Sequence, residues 1–159
     1  VLFRATNNAL WKKLEGRLPE LGTGPETQGT VQLRLEGLDA IEKGATKPLA
    51  INARNNLLKL IGFEEGIDEE PEGFILTRMT DDKSGQPICF VFAGSIDRKD
   101  GAEIILDEAL VRRSVNFKQM AGDFAYPLYK TLFASLSETF SEALDKARKV
   151  DKGCWPSDG

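Results

Sequence analysis

The chain has 159 residues, 41% of them hydrophobic, and a formal net charge of -4. Length and apolar content suffice for a single domain, residues 1–159, with a core of its own, and the acidic balance is not the footprint of a strong non-specific nucleic-acid binder, which is normally basic. There is no histidine, which excludes imidazole catalysis and His-ligated zinc, and no run approaches the roughly 18 apolar residues of a membrane span, so no membrane partner is expected.

In chain order, residues 1–5 read as a short strand. Residues 8–15 read as a short helix, with Asn8 as N-cap and Gly16 as its stop. Residues 18–29 hold Pro19, Gly22, Gly24, Pro25 and Gly29 and read as a loop. In 31–38, Val31, Leu33 and Leu35 alternate with Gln32, Arg34 and Glu36, the period of a half-buried strand. Pro48 opens a helix, since proline suits the first helical turn; Leu49, Ala53, Leu57 and Ile61 share one face and Gly62 ends it. Residues 64–72 are acidic and turn-rich, a solvated loop. Residues 74–80 and 88–92 are the arms of a hairpin turning at 81–85. A turn at 97–101 precedes a strand-like 103–106 and a short helix reaching about Arg113. Residues 116–129 read as irregular and aromatic. Ser135 and Glu138 have the spacing of a capping box for a helix carrying Leu136, Phe140, Ala143, Leu144 and Ala147. Cys89, inside an apolar run, reads as a buried thiol and Cys154 lies near the tail; two cysteines so placed make no disulfide framework, although one bridge stays open.

The stretch from Arg34 to Glu42 carries the most chemistry. Its apolar residues can face a core while Arg34 projects to the other side. Gly37 loosens the backbone, and the carboxylates Asp39 and Glu42 follow. Carboxylate oxygens suit a hard cation such as calcium, and a guanidinium grips phosphate oxygens two at a time. The same residues also read as surface charges on a strand and its turn.

Four segments, in one order, resemble the staphylococcal nuclease (thermonuclease) family. Arg34-Leu-Glu-Gly-Leu-Asp39-Ala-Ile-Glu42 is similar to the family's Arg, Asp and Glu at a strand end. Asp82-Lys-Ser-Gly-Gln86, with the apolar run 88–92, resembles its Asp-Lys-Tyr-Gly-Arg turn and the strand after it. Asp107-Glu-Ala-Leu-Val-Arg-Arg113 resembles an Asn-Glu-Ala-Leu-Val-Arg helix. Residues 137–148, then Gly153-Cys-Trp155, resemble the closing helix and a Gly-x-Trp end. The resemblance runs from about Val31 to the C-terminus.

The resemblance implies an α+β fold: a five-stranded Greek-key OB-fold barrel packed with about three helices. It also implies that the first barrel strand and an acidic turn lie upstream of Val1. A missing strand leaves an open edge, which a displaced N-terminal segment, a protein partner or a second copy of the chain would cover. The family's chemistry is calcium-assisted phosphodiester hydrolysis of DNA and RNA, in which a metal and two arginines offset charge on the phosphoryl oxygens and a Glu activates water. Carried over by position, Arg34 is a phosphate clamp, Asp39 a metal ligand, Ala40 a backbone-carbonyl ligand, Glu42 the base and a metal neighbour, and Lys83 a phosphate-binding lysine. Ile41 and Ser84 replace a Pro and a Tyr.

Two departures count against full activity. Gln86 stands where the second arginine belongs, and the upstream metal-binding Asp is absent from this chain. Weak or absent calcium binding and weak nucleic-acid binding are therefore expected. Arg78, on the neighbouring arm, is a possible substitute cation or an ordinary strand arginine. Tyr126 and Tyr129 offer stacking surfaces or pack. Two functions follow: a nuclease-family enzyme of low or no activity, or a non-catalytic OB module that binds nucleic acid or a protein partner.

Overall fold

The structure, a computed structural model, describes residues 1–4, 30–40, 47–128 and 134–149. The expected helix at 8–15 and loop at 18–29 lie outside them, as do Glu42, Tyr129 and Cys154. The described chain is mixed α+β. Its strands are β1 (Leu2–Arg4), β2 (Thr30–Gln32), β3 (Arg34–Leu35), β4 (Leu38–Ala40), β5 (Gly73–Thr80), β6 (Pro87–Ala93) and β7 (Ala125–Pro127); its helices are α1 (Lys47–Ile61), α2 (Glu108–Arg113), α3 (Val115–Ala121) and α4 (Ala134–Lys149).

These strands form three ladders, β1–β2, β3–β6–β5 and β4–β7, and none closes into a barrel. β1 runs antiparallel to β2 and β3 runs parallel to β6. The two ladders meet on one stretch of chain. Leu33, between β2 and β3, donates its N–H to the Val1 carbonyl at 2.8 Å, and the Glu36 N–H reaches the Cys89 carbonyl at 2.9 Å. Residues 30–36 are thus held by β1 on one side and β6 on the other.

The period-2 pattern behaves as expected through Leu35: Val31 and Leu33 are buried, Gln32 and Arg34 exposed. Glu36 departs from it and is buried. Its peptide is gripped between the Cys89 carbonyl and the side chain of Asn116, which draws the residue under the packed elements. Gly37 follows with φ of +81°, a left-handed turn that glycine takes without strain.

β6 is the centre of the molecule. Its continuous apolar run is what a strand buried on both faces requires. Phe90 and Phe92 face a cluster with Val111, Phe117, Met120, Leu136 and Phe140, whereas Cys89 and Val91 face Val31, Leu33 and Val115, with Leu57 and Ile61 of α1 packed against them. Phe140 meets Phe117 edge-on at 5.7 Å between ring centroids and Phe90 at 6.4 Å. Such aromatic pairs add to the area they bury.

β5 and β6 make the expected hairpin, and the chain turns at 81–85 as expected. Its ladder shifts register between Thr77 and Met79, which makes Arg78 the extra residue of a β-bulge; the Arg78 side chain lies outside the described residues. α1 fits the expected helix.

Three expectations need correction. Residues 103–106 join no ladder: Ile105 is 90% exposed, and Leu106 packs on the core without a strand neighbour. The expected irregular stretch 116–129 instead holds α3 and β7. α3 forms because Ser114 ends α2 and caps α3, its Oγ accepting from the Phe117 N–H at 3.0 Å, while Val115, Phe117 and Met120 supply the buried face. Finally, α4 starts at Ala134, so Ser135 is inside its first turn rather than ahead of it. Leu136, Phe140 and Ala143 are buried as the helical spacing requires.

Candidate functional site

Two buried amides hold the walls of a cavity in place. Asn116 of α3 accepts from the Val91 N–H (2.9 Å) and donates to the carbonyls of Glu36 (2.9 Å) and Cys89 (3.0 Å). It ties the helix to β6 and to the end of the Arg34 strand, using its amide almost to capacity. Gln119, a turn further on, donates to the Ala53 carbonyl at 2.9 Å and accepts from Asn56 Nδ2 at 2.7 Å. That pair fixes α1 against α3.

The cavity between these elements measures about 430 Å³. This is within the range of small-molecule sites, roughly 300–1,000 Å³. Leu33, Leu35 and Leu38 line it from the strands, Ala50, Ala53 and Leu57 from α1, and Phe124 and Ala125 from the approach to β7. Among the described residues its charged side chains are Arg34, Asp39 and Arg54, and Gln86 and Gln119 add amides. Arg34 and Asp39, from one stretch of chain, and Gln86, from the hairpin turn, therefore face one space.

The Arg34 guanidinium is engaged. Its Nη1 donates to Asp81 Oδ2 at 2.7 Å, an ion pair at the protein surface. The other Asp81 oxygen, Oδ1, accepts from the N–H groups of Lys83 (3.0 Å) and Ser84 (2.9 Å) and from the Ser84 hydroxyl (3.1 Å). These backbone hydrogen bonds, from Ser84 first and Lys83 second, with Arg34 adding to them, hold the Asp81 carboxyl below its ordinary value of 3.8. The turn is closed by the Asp81 N–H on the Gln86 carbonyl and the Gly85 N–H on the Asp81 carbonyl, both 2.8 Å, with Gly85 at φ +69°. One carboxylate thus joins the Arg34 strand to the hairpin turn and sets where Gln86 enters the cavity.

The other expected site residues fall as follows. Asp39 of β4 is exposed, lies opposite Tyr126 in the β4–β7 ladder and lines the cavity. Ala40 pairs with Ala125 in the same ladder. Tyr126 is half-buried and packs beside Ala53. Lys83 is exposed on the turn, its backbone bound to Asp81, and is not part of the cavity wall. Among the described residues Asp39 is the one carboxylate on the wall, and no group of three or more acidic or cysteine side chains gathers to hold a metal ion. Calcium takes six to eight oxygens; the described wall supplies the Asp39 carboxylate toward them, and Glu42 lies outside the described residues.

Comparison with protein-family models and with curated proteins finds no match for this chain.

Asp81, Arg54, Asn116 and Gln119 are the functional or supporting residues that sequence reasoning missed. Asp81 was available as a second carboxylate beside Asp82 in the turn. Arg54 sits next to Ala53, itself on the expected buried face of α1, and so was placed at the edge of a wall. Asn116 and Gln119 gave no signal outside a helix that was not expected.

Proposed function

We propose that this chain is a staphylococcal-nuclease-type domain on an OB barrel. Its cavity takes a phosphate ester of DNA or RNA, and the chain as it stands cleaves it slowly or not at all. The observation that carries the reading is the meeting of Arg34, Asp39 and Gln86 in one cavity. These are three of the positions singled out by the resemblance; Arg34 and Asp39 are close in sequence, but nothing in the spacing requires Gln86, in a distant turn, to share their wall. The barrel is supported by strand order. β1, the 30–36 strand, β6 and β5 follow one another as neighbours, which leaves one strand, between β5 and β1, to complete a five-stranded Greek-key closure.

Within this reading Arg34 holds phosphoryl oxygens, Gln86 donates a neutral hydrogen bond where a cation would act, and the apolar wall takes the sugar and base. The low activity has a physical cause. A guanidinium brings charge and a two-pronged donor to the developing phosphoryl charge, and an amide brings neither. An arginine acting on a phosphoryl transition state is worth about 10³–10⁵ in rate. Glu42, outside the described residues, is the base assigned by resemblance. The engagement of Arg34 by Asp81 favours a second reading, a module that binds phosphate esters and does not cut them.

The test is cleavage of denatured DNA, with and without added calcium, by the chain and by Gln86→Arg, each also carrying Glu42→Gln. The expected result is little cleavage by the unmodified chain and a gain in Gln86→Arg that Glu42→Gln removes. Binding without cleavage in every version selects the second reading. Robust cleavage by the unmodified chain refutes the impaired site.

A further inference from the structure

We propose that Arg54 is a second anion-binding residue of the cavity, joining Arg34 on the phosphate group of a nucleotide-sized ester. The inference rests on the reading of the cavity as a phosphate-ester site and adds to it a cation that no described carboxylate holds.

The argument is one of charge and support. Among the described residues, three charged side chains line the cavity: Arg34, Asp39 and Arg54. Arg34 is held by the Asp81 carboxylate at 2.7 Å, so much of its charge is already answered. Arg54 is exposed, and it makes no ion pair with any described residue. Among the described side chains that line the cavity it is the cation with no carboxylate partner, and so the one left to answer an incoming anion. Its backbone is well anchored. Ala53, its neighbour, is buried and gives its carbonyl to Gln119, and Asn56 donates to the same glutamine. A guanidinium carried on an anchored helix loses less freedom on binding than one on a loop.

The rest of the wall sets the class of ligand. Leu33, Leu35, Leu38 and Phe124 are apolar, and they suit the sugar and base of a nucleotide better than inorganic phosphate alone. The volume of about 430 Å³ admits one nucleotide rather than a folded polymer. Gln86 shares this cavity with Arg54, so a phosphate there meets a neutral amide as well as the guanidinium. That arrangement binds an ester and stabilises a transition state poorly.

The experiment is calorimetric titration of the full chain at low salt with adenosine 5′-monophosphate and, separately, with adenosine. The unmodified chain should prefer the monophosphate. Arg54→Gln should lose about tenfold or more of the monophosphate affinity with no change for adenosine, and Arg54→Lys should lose less, since it keeps the charge and gives up the fork. Lys59→Gln removes an exposed charge on the same helix, away from the cavity, and should change neither. Two results overturn the proposal in distinguishable ways. If Arg34→Gln abolishes monophosphate binding while Arg54→Gln leaves it within twofold, the cavity reading stands and Arg54 has no part in it. If the unmodified chain shows no preference for the monophosphate, the phosphate-site reading fails together with it. Because Arg54 is exposed, thermal melting of Arg54→Gln should match that of the unmodified chain, which removes unfolding as an explanation.

Discussion

Asn116 and Asp81 do similar work in opposite surroundings. Each side chain makes several hydrogen bonds that lock strands and turns together. Asn116 is fully buried, with the Val91 N–H and the Glu36 and Cys89 carbonyls as partners. Asp81 sits at the surface, with the Lys83 and Ser84 N–H groups, the Ser84 hydroxyl and Arg34. Water replaces the partners of Asp81 when they are lost, whereas nothing replaces those of Asn116. Three bonds at Asn116 therefore build a structural lock, four at Asp81 build an adjustable contact, and the adjustable one lies beside the cavity.

The largest expected effect is at the lock. Asn116→Ala takes the side-chain partner from the Val91 N–H and the Glu36 carbonyl, while the Cys89 carbonyl keeps the Glu36 N–H; a buried polar group left unsatisfied costs about 1–3 kcal/mol. A loss of about 3 kcal/mol or more in unfolding free energy is expected, read as a fall in the denaturation midpoint. Asn116→Asp keeps the acceptor for Val91 and loses both donors, so it should be no better. A loss under about 1 kcal/mol would mean that water enters the site and that the contrast with Asp81 is not one of burial.

The two regions also differ in which end of the pH scale weakens them. Burial pushes the Cys89 thiol up from 9.0 to about 12. The unfolded chain gives up that proton first, so it binds fewer protons than the folded chain as pH rises. Stability therefore falls between 9.0 and about 12, with a limiting slope of about 1.4 kcal/mol per pH unit from this group. Asp81 runs the other way. Its carboxyl lies below 3.8 in the folded chain, so its contribution is present above 3.8 and is lost as pH falls through its lowered value. Denaturant unfolding at several pH values checks the alkaline limb: Cys89→Ala should be less stable at neutral pH, from the lost packing, and should show a smaller decline above 9.0. An unchanged decline would assign it to the lysines and tyrosines instead.

Elements whose periodicity comes from one buried face were legible in the chain. The Arg34 strand, α1 and the β5–β6 hairpin carry their burial pattern in the spacing of apolar residues, and Cys89 is buried as its apolar run implied. What was not legible lay in polar residues. Asn116, Gln119, Glu36 and Asp81 act through backbone groups distant in sequence, and a polar residue gives no sign of which distant peptide it will meet. α3 was missed because it has only two turns, and its one clear cue, Ser114, doubles as the end of α2. Residues 103–106 show the reverse error: Ile104, Ile105 and Leu106 are a short apolar run that reads like a strand, but strand-like residues cannot supply a neighbouring strand. Arg34, Asp39 and Gln86, singled out through resemblance, border one cavity; Arg54 borders it too and gave no sign of doing so, because helical spacing marks the buried face and says nothing of what the adjacent residues border.

The smallest expected change in stability separates charge from geometry at the adjustable contact. Asp81→Asn is nearly the same shape. Its amide oxygen can still accept from the Lys83 and Ser84 N–H groups, so the turn keeps its frame. What disappears is the negative charge beside Arg34, 2.7 Å away. Exposed ion pairs contribute little to stability, so the melting temperature should hardly move. The binding effect should be visible: with Arg34 no longer answered by a carboxylate, its charge adds to that of Arg54, and the affinity for adenosine 5′-monophosphate should rise several-fold at low salt and converge on that of the unmodified chain as salt screens both arginines. A fall in affinity would mean that Asp81 positions the guanidinium rather than competing with the ligand for it. In that case Asp81→Glu, which keeps the charge and moves it outward by one methylene, should also weaken binding. A rise in Asp81→Asn that vanishes when Arg34→Gln is added would tie the gain to that one pair, and would make the exposed contact, unlike the buried lock at Asn116, a determinant of ligand affinity rather than of the fold.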